Sequence, residues 1–332
     1  MQNKQSYSQN DRTPLISFIV TCYNIPVWML IECIESITSL SLRPFEREII
    51  IVDDGSDMSP INDLSDFLEG IVYIRQPNKG VGDARNTGIK MATGKYIQFV
   101  DGDDKLSQTA YEHCIDIVRY KGAPDMVMFN FTNNSNGSGQ MRFDDTSPIC
   151  GTEYMQHNNV RQAACGYIFK RTILGELRFT PEIYHEDEEF TPQLLLRAET
   201  VYSTSAEAYI YRRREGSIMS SDTKRSILKR LNDKKTVIIR LNDMIDSLPH
   251  NDKIALQRRV AQITMDYIYN IIMQTRSRKY LDRQLDDLHS RGLFPLPDKN
   301  YTRKYTWFRR MTNSRVGLSI LMRTLPLMKE ER

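Results

Sequence analysis

Tyr96-Ile97-Gln98-Phe99-Val100-Asp101-Gly102-Asp103-Asp104 is a mostly apolar run that ends in three carboxylates within four residues. The apolar part reads as a strand, so the carboxylates emerge at its C-terminal end, where water or a metal ion must offset their charge. Mg²⁺ and Mn²⁺ favour oxygen ligands and are commonly held by only one or two protein carboxylates, with water and substrate phosphates completing the shell. The stretch therefore points to a divalent cation and, through it, to a nucleotide or other diphosphate. Asp-Gly is also an ordinary turn signal, and the surroundings must decide between the two.

Outward from that run, Ile16 to Cys22, Glu48 to Val52, Val72 to Gln76 and Met126 to Phe131 also read as strands. Pro26 to Leu40, Gly80 to Ala92 and Ser107 to Tyr120 have helical spacing and length. Alternation of this kind predicts an α/β fold with a mostly parallel central sheet flanked by helices, whose ligands lie outside the carboxyl ends of the strands. Thr21, Tyr23 and Asn24 follow the first strand, and Asp53-Asp54-Gly55-Ser56 follows the second. The Tyr23 ring can stack on a base, and Asp53 or Asp54 can accept hydrogen bonds from base or ribose; Asp54-Gly55-Ser56 equally fits a plain turn capping the next helix. Asn78-Lys79-Gly80-Val81-Gly82-Asp83-Ala84-Arg85-Asn86 is a glycine-containing loop leading into a helix. As a dinucleotide fingerprint it fails, because Arg85 stands where the third glycine belongs.

Taken in order, Tyr23-Asn24, Asp53-Asp54-Gly55-Ser56, Asn78-Lys79-Gly80 with Ala84-Arg85-Asn86-Thr87-Gly88, and Phe99-Val100-Asp101-Gly102-Asp103-Asp104 resemble the family 2 glycosyltransferases of GT-A fold. The resemblance extends to Tyr184-His185-Glu186-Asp187-Glu188-Glu189-Phe190 and to Tyr211-Arg212-Arg213-Arg214-Glu215-Gly216-Ser217-Ile218, and covers about residues 14 to 220. It implies that Thr21, Tyr23, Asp53 and Arg85 hold the base and ribose of a nucleotide-sugar donor, with Asp54 close by. Asn24, Lys79, Gly80 and Gly102 join that donor-binding group. Asp101 would touch the ribose, and Asp103, with Asp101, would hold Mn²⁺ or Mg²⁺ on the donor's diphosphate. Asp187 would be the general base, with Glu186 beside it, and crowding by Glu186, Glu188 and Glu189 would raise its proton affinity. The same four acidic residues also suit the solvated first turn of a helix. Arg212, Arg213 and Arg214 would close over the diphosphate, Arg214 matching a position often basic in relatives, unless one of them serves a charged edge strand. Ser217 and Ile218 would belong to a loop that orders over the donor. Inversion at the anomeric carbon, a UDP-sugar donor and a saccharide or lipid-linked saccharide acceptor complete the expectation. Where the family often has Ser between its first two metal-motif carboxylates, this chain has Gly102, a small change for metal binding.

The chain has 332 residues, 40% hydrophobic and 26% charged, enough for one large domain and an appendage. Four parts are expected: a polar N-terminus over 1–13, a catalytic domain over 14–220, a helical subdomain over 221–298 and a basic segment over 299–332. Asn133 to Gln140 reads as a polar loop. The resemblance implies that Met141 to Gly166 lines the acceptor side, where Tyr154 or Tyr167 is a core aromatic or a sugar platform. Five cysteines at 22, 33, 114, 150 and 165 show no metal spacing and read as reduced thiols. Without an apolar signal core the chain is expected to be cytoplasmic, leaving the sequons at Asn130, Asn133 and Asn136 to chance. No run is long and apolar enough to span a membrane. Lys224 to Met244 and Lys253 to Met273 are helical, and Lys299 to Lys329 holds eight Lys or Arg and no Asp or Glu. With Trp307, Met311, Leu318, Leu321, Met322 and Leu325 at helical spacing, that last segment suits either an anionic membrane, here its inner face, or packing on the domain. A net charge of +3 argues against nucleic-acid binding. The rival from another class is a non-catalytic sugar-nucleotide-binding relative, which would have no need of Asp187. A phosphotransferase with an aspartate nucleophile is disfavoured by Asp104-Lys105, which follow where an apolar residue and Thr or Val belong.

Overall fold

The computed structural model describes residues 13–67, 69–134, 139, 141–161, 163–213 and 223–330. Expectations for residues 1–12, Asn136, Arg214, Ser217 and Ile218 lie outside them. Two compact units form. The first takes Met1–Gly151, Ala163–Glu182 and Gln193–Arg214, and the second Thr152–Gln162, Ile183–Pro192 and Glu215–Arg332.

The first unit is built on one sheet whose parallel half comes from four apolar runs: β1 (Ile16–Cys22), β2 (Arg47–Asp53), β3 (Ile71–Arg75) and β4 (Tyr96–Asp101). β5 (Lys105–Leu106), β6 (Met126–Thr132), β7 (Tyr167–Lys170) and β8 (Val201–Ile210) complete it in the order β3-β2-β1-β4-β7-β6-β8-β5. β1 is buried at all seven positions because helices cover both faces, which is why it reads as a continuous apolar run instead of an alternation. Phe18 and Val20 join a core with Leu30, Cys33, Ile34 and Ile37 of α1 (Val27–Thr38) and Tyr111 and Ile115 of α3 (Gln108–Tyr120). On the opposite face α2 (Val81–Met91) comes so close that a Cβ at Gly88 would stand 2.2 Å from Ile19 Cγ2. Register then aligns the strand ends: Cys22 pairs with Asp53, and Thr21 with Asp101. Three polar clusters far apart in sequence therefore meet at one edge of the sheet.

The other half departs from a purely parallel pattern. β7, unforeseen in the sequence, runs antiparallel between β4 and β6, and β8 returns parallel to β6. All five cysteines are free thiols, with Cys150 exposed and the others buried.

The second unit holds α4 (Gly151–His157) and the start of α5 (Glu186–Leu195), followed by α6 (Lys224–Met244), α7 (His250–Thr275), α8 (Arg278–Ser290), α9 (Arg303–Thr312) and α10 (Arg315–Glu330). α7 packs against α6, α8, α9 and α10 and buries residues around most of its circumference, among them Leu256, Val260, Ile263, Tyr267 and Ile271. The single basic helix expected near the C-terminus is two. α9 stops at Thr312, and the Ser314 hydroxyl accepts the Gly317 N–H at 2.9 Å to begin α10. Among the described residues no helix is long and apolar enough to cross a membrane.

Candidate active site

At the sheet edge of the first unit, most of the polar residues expected to touch a donor first hold one another. Asp53 is fully buried; one oxygen accepts the Ser56 N–H at 2.9 Å, and the other accepts the Tyr73 hydroxyl at 2.9 Å with Arg75 Nε at 3.4 Å. Burial, with help from Asp53, pushes the Tyr73 phenol up to about 12, so it stays a donor. Asp54 accepts the Lys79 N–H at 3.0 Å, the Gly80 N–H at 2.8 Å and the Gln76 amide at 2.8 Å. It fixes the loop that enters α2, and Gly80 makes that loop possible with φ of +88°. Lys79 gives this network its backbone amide while its side chain is exposed. Asn24, with φ of +46°, ties the β1 loop to the β2 loop by a Ser56 hydrogen bond and a double hydrogen bond to Asp57. Thr21 is buried and its carbonyl receives the Gly102 N–H at 2.8 Å; Tyr23 beside it is half-buried.

Arg85 and Asp101 form the centre. Arg85 Nη2 lies 3.1 Å from Asp101 Oδ1, and its guanidinium sits 5.9 Å over the Phe99 ring and 5.4 Å over that of Phe179. Phe179 is held there by Asn86, whose amide bonds the Phe179 carbonyl at 2.8 Å and its N–H at 2.9 Å. Gly102 is tight: a Cβ would lie 2.8 Å from Ile25 Cδ1 and 3.0 Å from the Thr21 carbonyl. A serine here would therefore need its neighbours to move, so Gly102 has a larger packing consequence than the sequence suggested.

Asp104 is buried, accepts the Arg212 N–H at 2.8 Å, and is pushed up to about 8 by burial and then by the Asp101 charge. Arg212 spends its side-chain donors on the Met29, Asp103 and Asp104 carbonyls and on the Glu32 carboxylate at 2.6 Å, with its guanidinium 5.7 Å over Trp28. Of the three arginines expected over a diphosphate, this one pins the acidic turn to α1, and Arg214 lies outside the described residues. Asp101 and Asp103 remain half-exposed beside it. Among the described residues no set of three or more His, Cys, Asp or Glu closes around a point. An all-oxygen pair of carboxylates in a turn of excess negative charge fits a hard cation that draws its other ligands from water and phosphate.

Glu186 and Asp187 open α5 in the second unit. Asp187 Oδ1 accepts the Glu188 N–H at 2.8 Å, the preceding His185 having φ of +67°. Glu188 is buried, with Lys234 Nζ at 2.9 Å and His185 Nδ1 at 3.0 Å on one oxygen. Burial alone would raise its pKa, yet the His185 hydrogen bond and the Lys234 and Arg259 charges bring it down to about 2. Glu189 faces Arg240 at 3.4 Å. The expected crowding of Asp187 by Glu188 and Glu189 is thus not met at those two residues, because each carries a cation. Arg259, buried at 3% exposure, faces Glu188, Asp266 and Asp187. Neither Lys234 nor Arg259 was singled out in the sequence, although Lys234 lies in the stripe of Leu231, Ile238 and Leu241, where a charge signals a buried pair.

Residues 17–173 match the family model of glycosyl transferase family 2. Glycosyltransferase GlyG of Streptococcus pneumoniae is 29% identical over 63% of this chain and 74% of its own length. The minor teichoic acid biosynthesis protein GgaB of Bacillus subtilis is 28% identical over 62% of this chain, which spans only 24% of that protein. Among solved structures, S. aureus TarS 1-349 in complex with UDP-GlcNAc superposes with a TM-score of 0.64 at 19% identity, covering 95% of this chain and 91% of TarS 1-349.

Proposed function

We propose that this chain, whose residues 17–173 match the glycosyl transferase family 2 model and whose fold is GT-A, moves a sugar from a UDP-sugar to a saccharide or lipid-linked saccharide, with inversion, in building a bacterial surface polymer. On this reading residues 14–220 are the catalytic domain, 221–298 a helical support and 299–332 a basic segment that works at the inner face of the membrane. The observation that carries it is the Arg85–Asp101 pair clasped by Phe99 and Phe179, two residues from Asp103, at the aligned strand ends. A buried guanidinium fixed in that way orients Asp101 toward ribose, and Tyr23 offers the ring for the base. Asp53 and Asp54 act from behind, the first shaping the base pocket and the second the α2 loop. Asp103, with Asp101, holds Mn²⁺ or Mg²⁺. When bound, that cation offsets the charge growing on the departing diphosphate. Asp187 takes the proton of the acceptor hydroxyl as its oxygen bonds the anomeric carbon, while the bond from that carbon to the diphosphate breaks and the diphosphate keeps the electron pair.

Nucleoside diphosphate release from a panel of sugar nucleotides, with and without Mn²⁺, tests this in the wild type, Asp103→Ala and Asp187→Ala. We expect metal-dependent release from one or two donors, about 10²-fold or more weaker in both variants. Retained release in Asp187→Ala would move the base role to Glu186. Metal-dependent nucleotide binding without release from any donor would favour an obligatory acceptor or a non-catalytic relative, and no nucleotide binding at all would sink the reading.

A further inference from the structure

α9 and α10 pack on α7 through Tyr305, Phe308, Leu318 and Leu321, all buried. Their outer surfaces mix basic and polar residues with exposed apolar ones. Val316, Ile320 and Leu327 of α10 are 72%, 46% and 61% exposed, and Trp307 of α9 is 50% exposed. Val316, Ile320, Arg323 and Leu327 follow i, i+4, i+7 and i+11, which puts them on one stripe of the helix. Folding of the second unit thus leaves a line of large aliphatic side chains in water on the side away from its core. Arg303, Lys304, Arg310, Arg315 and Arg323 are exposed on the same two helices, and no acidic residue occurs from Lys299 to Lys329. Arg309, by contrast, is buried and paired with Asp298.

We propose that the Val316-Ile320-Leu327 stripe of α10, with Trp307 and the exposed arginines of α9 and α10, seats this chain on an anionic lipid surface. The charge pattern selects that occupant. A second copy would bring the same unbalanced arginines together, and a phosphate backbone gives no return for aliphatic side chains. An anionic bilayer answers both: its headgroups attract the guanidinium groups, and its acyl boundary takes Val, Ile, Leu and the Trp ring. The inference rests on the reading of the chain as a transferase for lipid-linked acceptors only in its purpose; the surface itself is independent of catalysis.

The test is co-sedimentation of the full chain with vesicles of phosphatidylglycerol and phosphatidylcholine, against phosphatidylcholine alone. Two triple variants accompany it, Val316→Ser/Ile320→Ser/Leu327→Ser and Arg310→Gln/Arg315→Gln/Arg323→Gln, each checked for native circular dichroism and for nucleoside diphosphate release without vesicles. We expect binding to the anionic vesicles only, weakened by added salt and about tenfold or more weaker in each triple variant, with unchanged release. Equal binding to both vesicle types, no binding by the wild type, or undiminished binding by the variants would overturn it. Self-association of the wild type that the aliphatic triple variant abolishes would overturn it in favour of a second copy. Expected vesicle binding without release from any donor would uphold the surface proposal and count against the transferase reading alone, so the two failures are distinguishable.

Discussion

Two acidic runs of four residues, Asp101 to Asp104 and Glu186 to Glu189, are alike on paper and opposite in the fold. The first sends one carboxylate inward, Asp104, and the second three, Glu186, Glu188 and Glu189. Asp104 meets burial and two like charges and rises to about 8, whereas Glu188 meets Lys234 and His185 and falls to about 2. The Arg212 side chain binds the Asp103 and Asp104 carbonyls of the first run and Glu32, and Arg85 pairs with Asp101, so the turn is held firmly while Asp103 stays half-exposed. The difference teaches that an acidic run is left half-exposed or becomes a structural anchor according to where the nearest cations spend their donors.

Removing the cation from the second run should make it resemble the first, with the largest effect on stability. Lys234→Met strands a buried carboxylate and is expected to cost about 3–5 kcal/mol in urea denaturation, much of it recovered by Lys234→Met/Glu188→Gln. A double variant no more stable than the single would show that Lys234 does not act through Glu188.

The runs should also titrate in opposite senses. Glu188 has a depressed folded pKa, so its contribution is present above pH 4.5 and is lost as the pH falls toward about 2, of order 3 kcal/mol in all. Glu188→Gln/Lys234→Met should flatten that acid limb. Asp104 has a raised folded pKa, so in EDTA stability should decline as the pH rises from 3.8 toward about 8, and Asp104→Asn should remove that slope. Equal pH dependence in wild type and variants would erase the contrast.

Arg212→Met tests the staple. It leaves the Met29, Asp103 and Asp104 carbonyls without their guanidinium partner, with an expected loss of about 1–3 kcal/mol and a higher metal requirement for donor turnover. An unchanged Mn²⁺ titration would mean that the turn keeps its shape without Arg212. The smallest effect belongs to Gly102→Ser, expected to cost about 1 kcal/mol by crowding Ile25 and to be relieved by Ile25→Val. Calorimetry of the single and double variants measures both.

Much of the site was legible because strand ends can be located from the runs that precede them. Asp53, Arg85, Asp101 and Asp103 stand at the edge that the pattern indicated, and the register of β1 with β2 and β4 is what aligns them. Less visible were the supports. Nothing in Asn86 announces that it will grip Phe179, because the partner lies 93 residues away. Asp54 fitted both a turn and a ligand contact, and its hydrogen bonds to Lys79 and Gly80 needed the β3–α2 loop to be in place. β7 escaped notice for a related reason: four residues carry too little periodicity, and the strand exists through β4 on one side and β6 on the other.

By itself the sequence determined the alternation of buried strands with helices, the edge of the sheet where polar residues gather, and the two long helices α6 and α7, since each rests on periodicity within one segment. Tertiary structure alone decided which carboxylates are neutralised, which arginine is spent on backbone, and how the basic segment near the C-terminus divides into α9 and α10. Those outcomes depend on distances between residues remote in the chain, and charge interactions are set by such distances and by burial, neither of which a local pattern contains.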